Sequence, residues 1–232
     1  MQNQTHLRVL RSELFAMFRT SQRALDYSTK GYELASPEFC LHVRRADAEV
    51  QRLSHSIVRR AQELLHSGLL QAKDQHFVSF ALKLGHALQM TYAAAARVAE
   101  MTMDRLARGS TVPSPETAAM GQEVNRSLRV CVVALFKGTA ETANTVLAMT
   151  GRETTYAAGI SQPCHGPASE GTCLSAAEAV IRKNLAYAAH QVFEMARAIV
   201  TWLETRHAIF ADCESMPEAQ AGARALPSRF VR

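Results

Sequence analysis

The sequence predicts an all-α protein built as two tandem antiparallel three-helix bundles, the second shortened in its middle helix. Glycine and proline are scarce and cluster at a few points. The residues between them are rich in Ala, Leu, Arg, Gln, Glu and Met, which favour helices. Apolar residues in these segments recur at helical spacing, and long helices with one apolar face pack side by side as bundles.

The first predicted helix runs from about residue 7 to residue 34. Its apolar side chains are spaced three or four residues apart and lie on one helical face. They are Leu7, Leu10, Leu14, Met17, Phe18 and Leu25. We therefore expect this face to pack in the core.

The second predicted helix covers residues 37–66. Ser36 is a suitable N-cap, Pro37 fits the first helical position, and Glu38 complements the positive end of the helix dipole. Gly68 ends the helix. The apolar face carries Val43, Val50, Leu53, Ile57, Ala61 and Leu64, and the opposite face carries Arg45, Arg52 and Arg59. This charged stripe indicates a solvated surface.

A third helix is predicted over residues 72–108, ending at Gly109. After it, Ser114, Pro115 and Glu116 repeat the start signal of the second helix, which favours a boundary between two halves. The predicted domains are residues 1–109, residues 110–212 and a mobile C-terminal tail, residues 213–232.

The second half is predicted to hold a fourth helix, residues 115–149, and a last helix. Ser175 and Glu178 form a capping box that opens the last helix, which reaches about Phe210. Glycines and prolines place residues 162–174 in a loop. The apolar faces of the third and last helices can be laid over each other without a gap: Leu84, Leu88, Ala95, Ala99, Met103 and Leu106 fall on Ile181, Leu185, Val192, Ala196, Val200 and Leu203.

Composition restricts the class of protein. The chain opens with polar residues and has no apolar run of membrane-spanning length, so we expect a cytoplasmic protein. Its net charge of +5 is spread along the chain and mixed with acids, which argues against nucleic-acid binding. The five cysteines are odd in number and scattered, so reduced thiols are expected. They are Cys40, Cys131, Cys164, Cys173 and Cys213.

Several short runs resemble the PhoU family, the cytosolic regulators of bacterial phosphate uptake. Asp47, Val50, Gln51, Leu53 and Ile57 match the pattern of the family's second helix. Ala72-Lys73-Asp74, Phe77 and Leu82-Lys83-Leu84 match the start of its third helix, and Arg182 to Leu185 match a run of its last helix. The resemblance covers most of residues 10–108 and 120–207, and it implies the fold of two repeated three-helix bundles.

The resemblance also implies a function. A PhoU-like adaptor would damp phosphate uptake or phosphate-starvation signalling by binding the ATPase subunit of a phosphate transporter or a sensor histidine kinase. It would be peripheral to the membrane through that partner and would not be an enzyme. The adaptor could also assemble as a homodimer. The binding would rest on complementary helical surfaces.

The chain departs from the family at the acidic residues that hold metal ions. In the family, a Leu-Glu-Arg-Ile-Gly-Asp run in each repeat supplies carboxylates, which suit hard cations. Here the corresponding residues are Gln89 and Ala93 in the first half and Ala186 and His190 in the second. The acid pair of the second helix is reduced to Asp47 with Gln51. We therefore expect no metal cluster and no cofactor.

Other interpretations remain open from the sequence. His190 and Glu194, with His86 in the corresponding region of the first half, could form a rebuilt metal site. Two Glu-x-x-His pairs, Glu63 with His66 and Glu204 with His207, have the spacing used by di-iron helical-bundle enzymes. Cys164-His165 with Cys173 matches no zinc pattern and indicates loop thiols. A structural oligomeric bundle is the third alternative.

Overall fold

The computed structural model describes residues 2–68, 70–109, 112–138, 140–149 and 176–210. Every regular element in these ranges is an α-helix, as the sequence predicts. The helices are α1 (Gln2–Glu33), α2 (Pro37–Arg45), α3 (Asp47–His66), α4 (Ala72–Ala107), α5 (Pro115–Lys137), α6 (Ala140–Met149) and α7 (Ala176–Phe210). None of these helices carries an apolar stretch long enough to span a membrane.

In the first half, α1 and α4 run parallel, with α3 antiparallel to both. The Ser21 hydroxyl of α1 donates to the carbonyl of Leu88 in α4. Glu13, early in α1, contacts Arg60, late in α3. The Tyr92 hydroxyl of α4 donates to the carbonyl of Val43 at the end of α2. These contacts join distant parts of the chain into one helical bundle.

In the second half, α5 runs antiparallel to α1, and α7 runs antiparallel to α4. Asp26 of α1 accepts hydrogen bonds from the side chains of Asn125 and Arg129 in α5. Phe80 near the start of α4 stacks on Trp202 near the end of α7. The bundle therefore contains a long α4–α7 pair whose two ends can be compared.

The predicted apolar faces form the core. Leu84, Leu88, Ala95 and Ala99 of α4 are buried, and so are all six matched residues of α7. One buried cluster includes residues of both halves. Gly121 permits the close approach of α5 to α1, because a Cβ atom there would lie 2.8 Å from Cγ2 of Thr29. The division into domains at residue 109 stays a prediction.

Two predicted helices are each divided in the structure. The segment 37–66 breaks at Ala46, whose N–H donates to the carbonyl of Val43, three residues back, in a tight turn. The segment 115–149 breaks at Gly138, which adopts the left-handed conformation with φ of 66°. Glycine tolerates that conformation because it lacks a Cβ atom, so Gly138 ends α5.

The predicted helix starts at Pro37 and Pro115 are confirmed. Ser36 and Ser114 are the N-cap residues, but neither side chain makes the capping hydrogen bond. The predicted capping residue Ser175 lies outside the described residues. So do the loop at 162–174 and the C-terminal tail.

Candidate functional site

Asp47 and Gln89, two of the residues that the sequence predicts at the family's metal positions, lie where α3 faces α4. Asp47 is exposed at the start of α3, close to the hydroxyl of Tyr92. Burial raises the pKa of Tyr92 to about 12, and the negative charge of Asp47 adds to the shift. Gln89 accepts a hydrogen bond from Ser54 at 2.9 Å through Oε1. Gln51 is exposed on α3.

These residues do not fit a metal cluster. A multinuclear site needs several carboxylate oxygens, but Asp47 is the single carboxylate among the four first-half residues predicted at the family's metal positions. The Gln89 oxygen is already an acceptor, and Ala93 offers only a methyl group.

The second-half positions lie on α7. Ala186 is half-buried and has no donor atom, while His190 is exposed. Glu194 accepts a hydrogen bond from Arg197 at 2.8 Å. His86 lines a groove together with Glu194. Across the described part of the chain, no three His, Cys, Asp or Glu residues are grouped closely enough to hold a metal ion.

The Glu-x-x-His pairs lie near the ends of α3 and α7. The Glu63 side chain is 49% exposed and lies 4.0 Å from His6 and 3.9 Å from Arg59. His66 is exposed, with Nδ1 2.8 Å from the carbonyl oxygen of Gln62. Glu204 is also exposed, and the side chain of His207 lies outside the described structure. A di-iron site needs its ligands inside the bundle, where Glu63, His66 and Glu204 do not lie.

Cys40 is a buried thiol against Gly31. Burial raises its pKa to about 11, which keeps it protonated and weakly nucleophilic near neutral pH. Cys164, His165, Cys173 and Cys213 lie outside the described residues.

A buried polar network, here called the junction, joins α1, α4, α5 and α7. It consists of Tyr32, Arg105, Thr117 and Glu178. The Glu178 carboxylate accepts hydrogen bonds from Arg105 Nη1 at 2.6 Å, from Tyr32 Oη at 2.7 Å and from Thr117 Oγ1. The side chains of Arg105 and Glu178 are 10% and 6% exposed. The junction therefore holds a charge pair inside the bundle.

Further contacts tie the junction to the α4–α5 connection. Arg105 Nη2 donates to the carbonyl of Val112 at 2.8 Å, and the N–H of Ser114 donates to Tyr32 Oη at 2.7 Å. Burial, followed by the hydrogen bond to Glu178, raises the pKa of Tyr32. These bonds hold Val112 and Ser114 against the bundle end.

The junction was missed from the sequence, although a signal was present. The sequence predicts a capping-box role for Glu178, yet Glu178 lies three residues before buried Ile181 and shares its helical face. Arg105 lies seven residues after buried Val98 and likewise shares its helical face. A charged residue in register with an apolar face predicts a buried charge that needs a partner.

At the opposite end of the α4–α7 pair lies an open groove of about 420 Å³. Its walls come from one face of each helix. The lining side chains include His76, Phe80, Lys83 and His86 from α4, and Glu194, Arg197 and Trp202 from α7. The structure thus places His86 and Glu194 along one surface, together with basic side chains.

Comparison with known proteins identifies the fold. No protein-family model matches the sequence, and no curated protein matches it. Among solved structures, the chain is similar to the crystal structure of PhoU from Pseudomonas aeruginosa, with 15% sequence identity and a TM-score of 0.64. The match covers 90% of this chain and 99% of that one. The chain therefore has a PhoU-like fold.

Proposed function

We propose that this protein is a cytoplasmic PhoU-like regulatory adaptor. It damps phosphate uptake or phosphate-starvation signalling by binding the ATPase subunit of a phosphate transporter or a sensor histidine kinase. The observation that carries the proposal is the similarity to PhoU over nearly the whole chain. Fold alone does not assign function, so the proposal also draws on the short runs of the sequence that resemble the family.

The proposed mechanism is docking of a rigid helical surface and involves no catalysis. Long antiparallel helices fix the positions of exposed side chains, so a partner meets a preformed surface. The resemblance to the family matches Gln89, Ala93, Ala186 and His190 to its metal-binding carboxylates, and these four side chains carry no carboxylate. The adaptor would therefore act without the family's metal cluster.

Phosphate uptake in cells tests this function. Deleting the gene should increase uptake of radiolabelled phosphate in phosphate-rich medium, because the brake on the transporter or its signalling is removed. Expressing the wild-type chain should restore low uptake. Unchanged uptake in the deletion strain, with no copurification of either proposed partner, would overturn the proposal.

Elemental analysis separates the adaptor from a di-iron enzyme. Purified protein should hold no stoichiometric iron, manganese or zinc. Stoichiometric metal that is lost in His66→Ala and His207→Ala variants would favour the enzyme.

A further inference from the structure

The α4–α7 groove has an aromatic floor. The rings of Phe80 and Trp202 stack with centroids 4.8 Å apart and an interplanar angle of 13°. Phe77 lies behind them, 6.3 Å from Trp202. Phe77 and Phe80 are buried, while Trp202 is half-buried and lines the groove. Aromatic side chains in such a position serve as anchoring surfaces in protein interfaces.

The charged groups along the groove favour an acidic ligand. Glu194 is the one carboxylate among the described lining residues, and Arg197 donates to it. Lys83 is exposed and has no ion-pair partner within the described chain, and His76 and His86 are exposed beside it. Two permanent cations, Lys83 and Arg197, therefore line this surface against one carboxylate, and the excess of positive charge complements an acidic ligand.

The spacing of these side chains favours a peptide over a small anion. His76, Lys83 and His86 are separated by one or two helical turns and span about 15 Å along α4. A small anion needs donors that converge on one point, whereas these donors follow a line. An extended peptide rises about 3.3 Å per residue, so four or five residues would cover the line.

We propose that this groove binds a short acidic peptide segment of a partner protein. A large apolar side chain of the segment rests on Phe80 and Trp202, and flanking carboxylates meet Lys83 and the two histidines. This inference rests on the proposed adaptor function, because it names the surface on which the adaptor receives its partner.

Fluorescence anisotropy with the full chain tests the groove. The probe is a fluorescein-labelled peptide EDWEDE, and the comparison peptides are EDAEDE, without the aromatic anchor, and KKWKKK, with reversed charge. At about 50 mM salt, where electrostatic contacts are weakly screened, EDWEDE should bind at least about tenfold more tightly than either comparison peptide.

A pair of charge-reversal variants locates the binding. Lys83→Glu should weaken binding of EDWEDE about tenfold, because it places a carboxylate on the carboxylate-binding line. Arg52→Glu makes the same charge change on an exposed residue of α3 and should alter the affinity by less than about twofold. Equal losses in the two variants would indicate attraction to the net positive charge and would overturn the inference.

Two further outcomes decide the identity of the occupant. Displacement of EDWEDE by ATP, with ATP binding more tightly than the peptide, would overturn the peptide in favour of a small anion. Equal binding of EDAEDE and EDWEDE would show that the aromatic floor does not contribute to binding, and it would overturn the inference.

The failures of the groove and of the adaptor function are distinguishable. If the Lys83→Glu protein still lowers phosphate uptake and still binds the partner, the proposed role of the groove is overturned and the adaptor function stays intact. Groove-specific peptide binding, together with unchanged phosphate uptake in the deletion strain and no copurification of either proposed partner, would overturn the phosphate function and support the groove as a peptide site.

Discussion

The two ends of the α4–α7 pair use charged residues in opposite ways. At the junction, Arg105 and Glu178 are buried and bonded to each other. At the groove, Lys83 and the neighbouring histidines are exposed. A buried charge is tolerated only when its partner is in place, whereas an exposed charge stays hydrated and adds little to stability. The comparison indicates that the two charges of the junction depend on each other inside the bundle, whereas the charged side chains of the groove stay in contact with solvent.

Removing the buried carboxylate is the strongest test of this difference. Glu178→Ala should lower the free energy of unfolding by about 3–5 kcal/mol, because Arg105 would keep a buried charge without a counterion. Urea denaturation of the purified protein measures the change. The control is Glu116→Ala, since Glu116 is 79% exposed in its ion pair with Arg182, and it should change stability by at most about 0.5 kcal/mol. Similar small losses in both variants would contradict a structural role for the junction.

Tyr32→Phe tests one of the two neutral donors of the junction, the other being Thr117. The variant should lower the free energy of unfolding by about 1–3 kcal/mol, because the N–H of Ser114 loses its acceptor and Glu178 loses a donor. Urea denaturation of the wild type and of the variant below pH 9, where the tyrosine is protonated, measures the change.

The difference in unfolding free energy between the wild type and Tyr32→Phe should depend on pH. The pKa of Tyr32 is raised in the folded protein from its ordinary value of 10.0. The stability that Tyr32 contributes through this shift is fully present below pH 10, and it is lost as the pH rises through the folded-state pKa of Tyr32. The advantage of the wild type over Tyr32→Phe should therefore shrink above pH 10. An advantage that stays constant between pH 8 and pH 11 would contradict this account of Tyr32.

The smallest effect on stability is expected at the groove. Lys83→Ala should change the free energy of unfolding by no more than about 0.5 kcal/mol. The ammonium group is exposed, so its loss removes no buried contact. Thermal and urea denaturation should agree on this point. A loss of more than about 1 kcal/mol would show that Lys83 supports the fold.

Much of the fold could be predicted from the sequence because helical periodicity is local. The apolar faces of α1, α3, α4 and α7 follow from spacings of three and four residues, and Pro37 and Pro115 mark helix starts. The division at Gly138 was missed, although glycine was the available signal. The break at Ala46 has a weaker signal in the sequence, because alanine itself favours helix. Only the acidic residues of the next turn mark a new helix start.

The candidate sites were less predictable because they depend on pairing between distant segments. The sequence by itself determined the all-α class and the faces that are buried. The tertiary structure decided that Tyr32 would meet Glu178 across 146 residues and that Phe80 would stack on Trp202. Periodicity specifies which face of a helix is apolar, but only the packing of helices specifies which residue of another helix lies opposite.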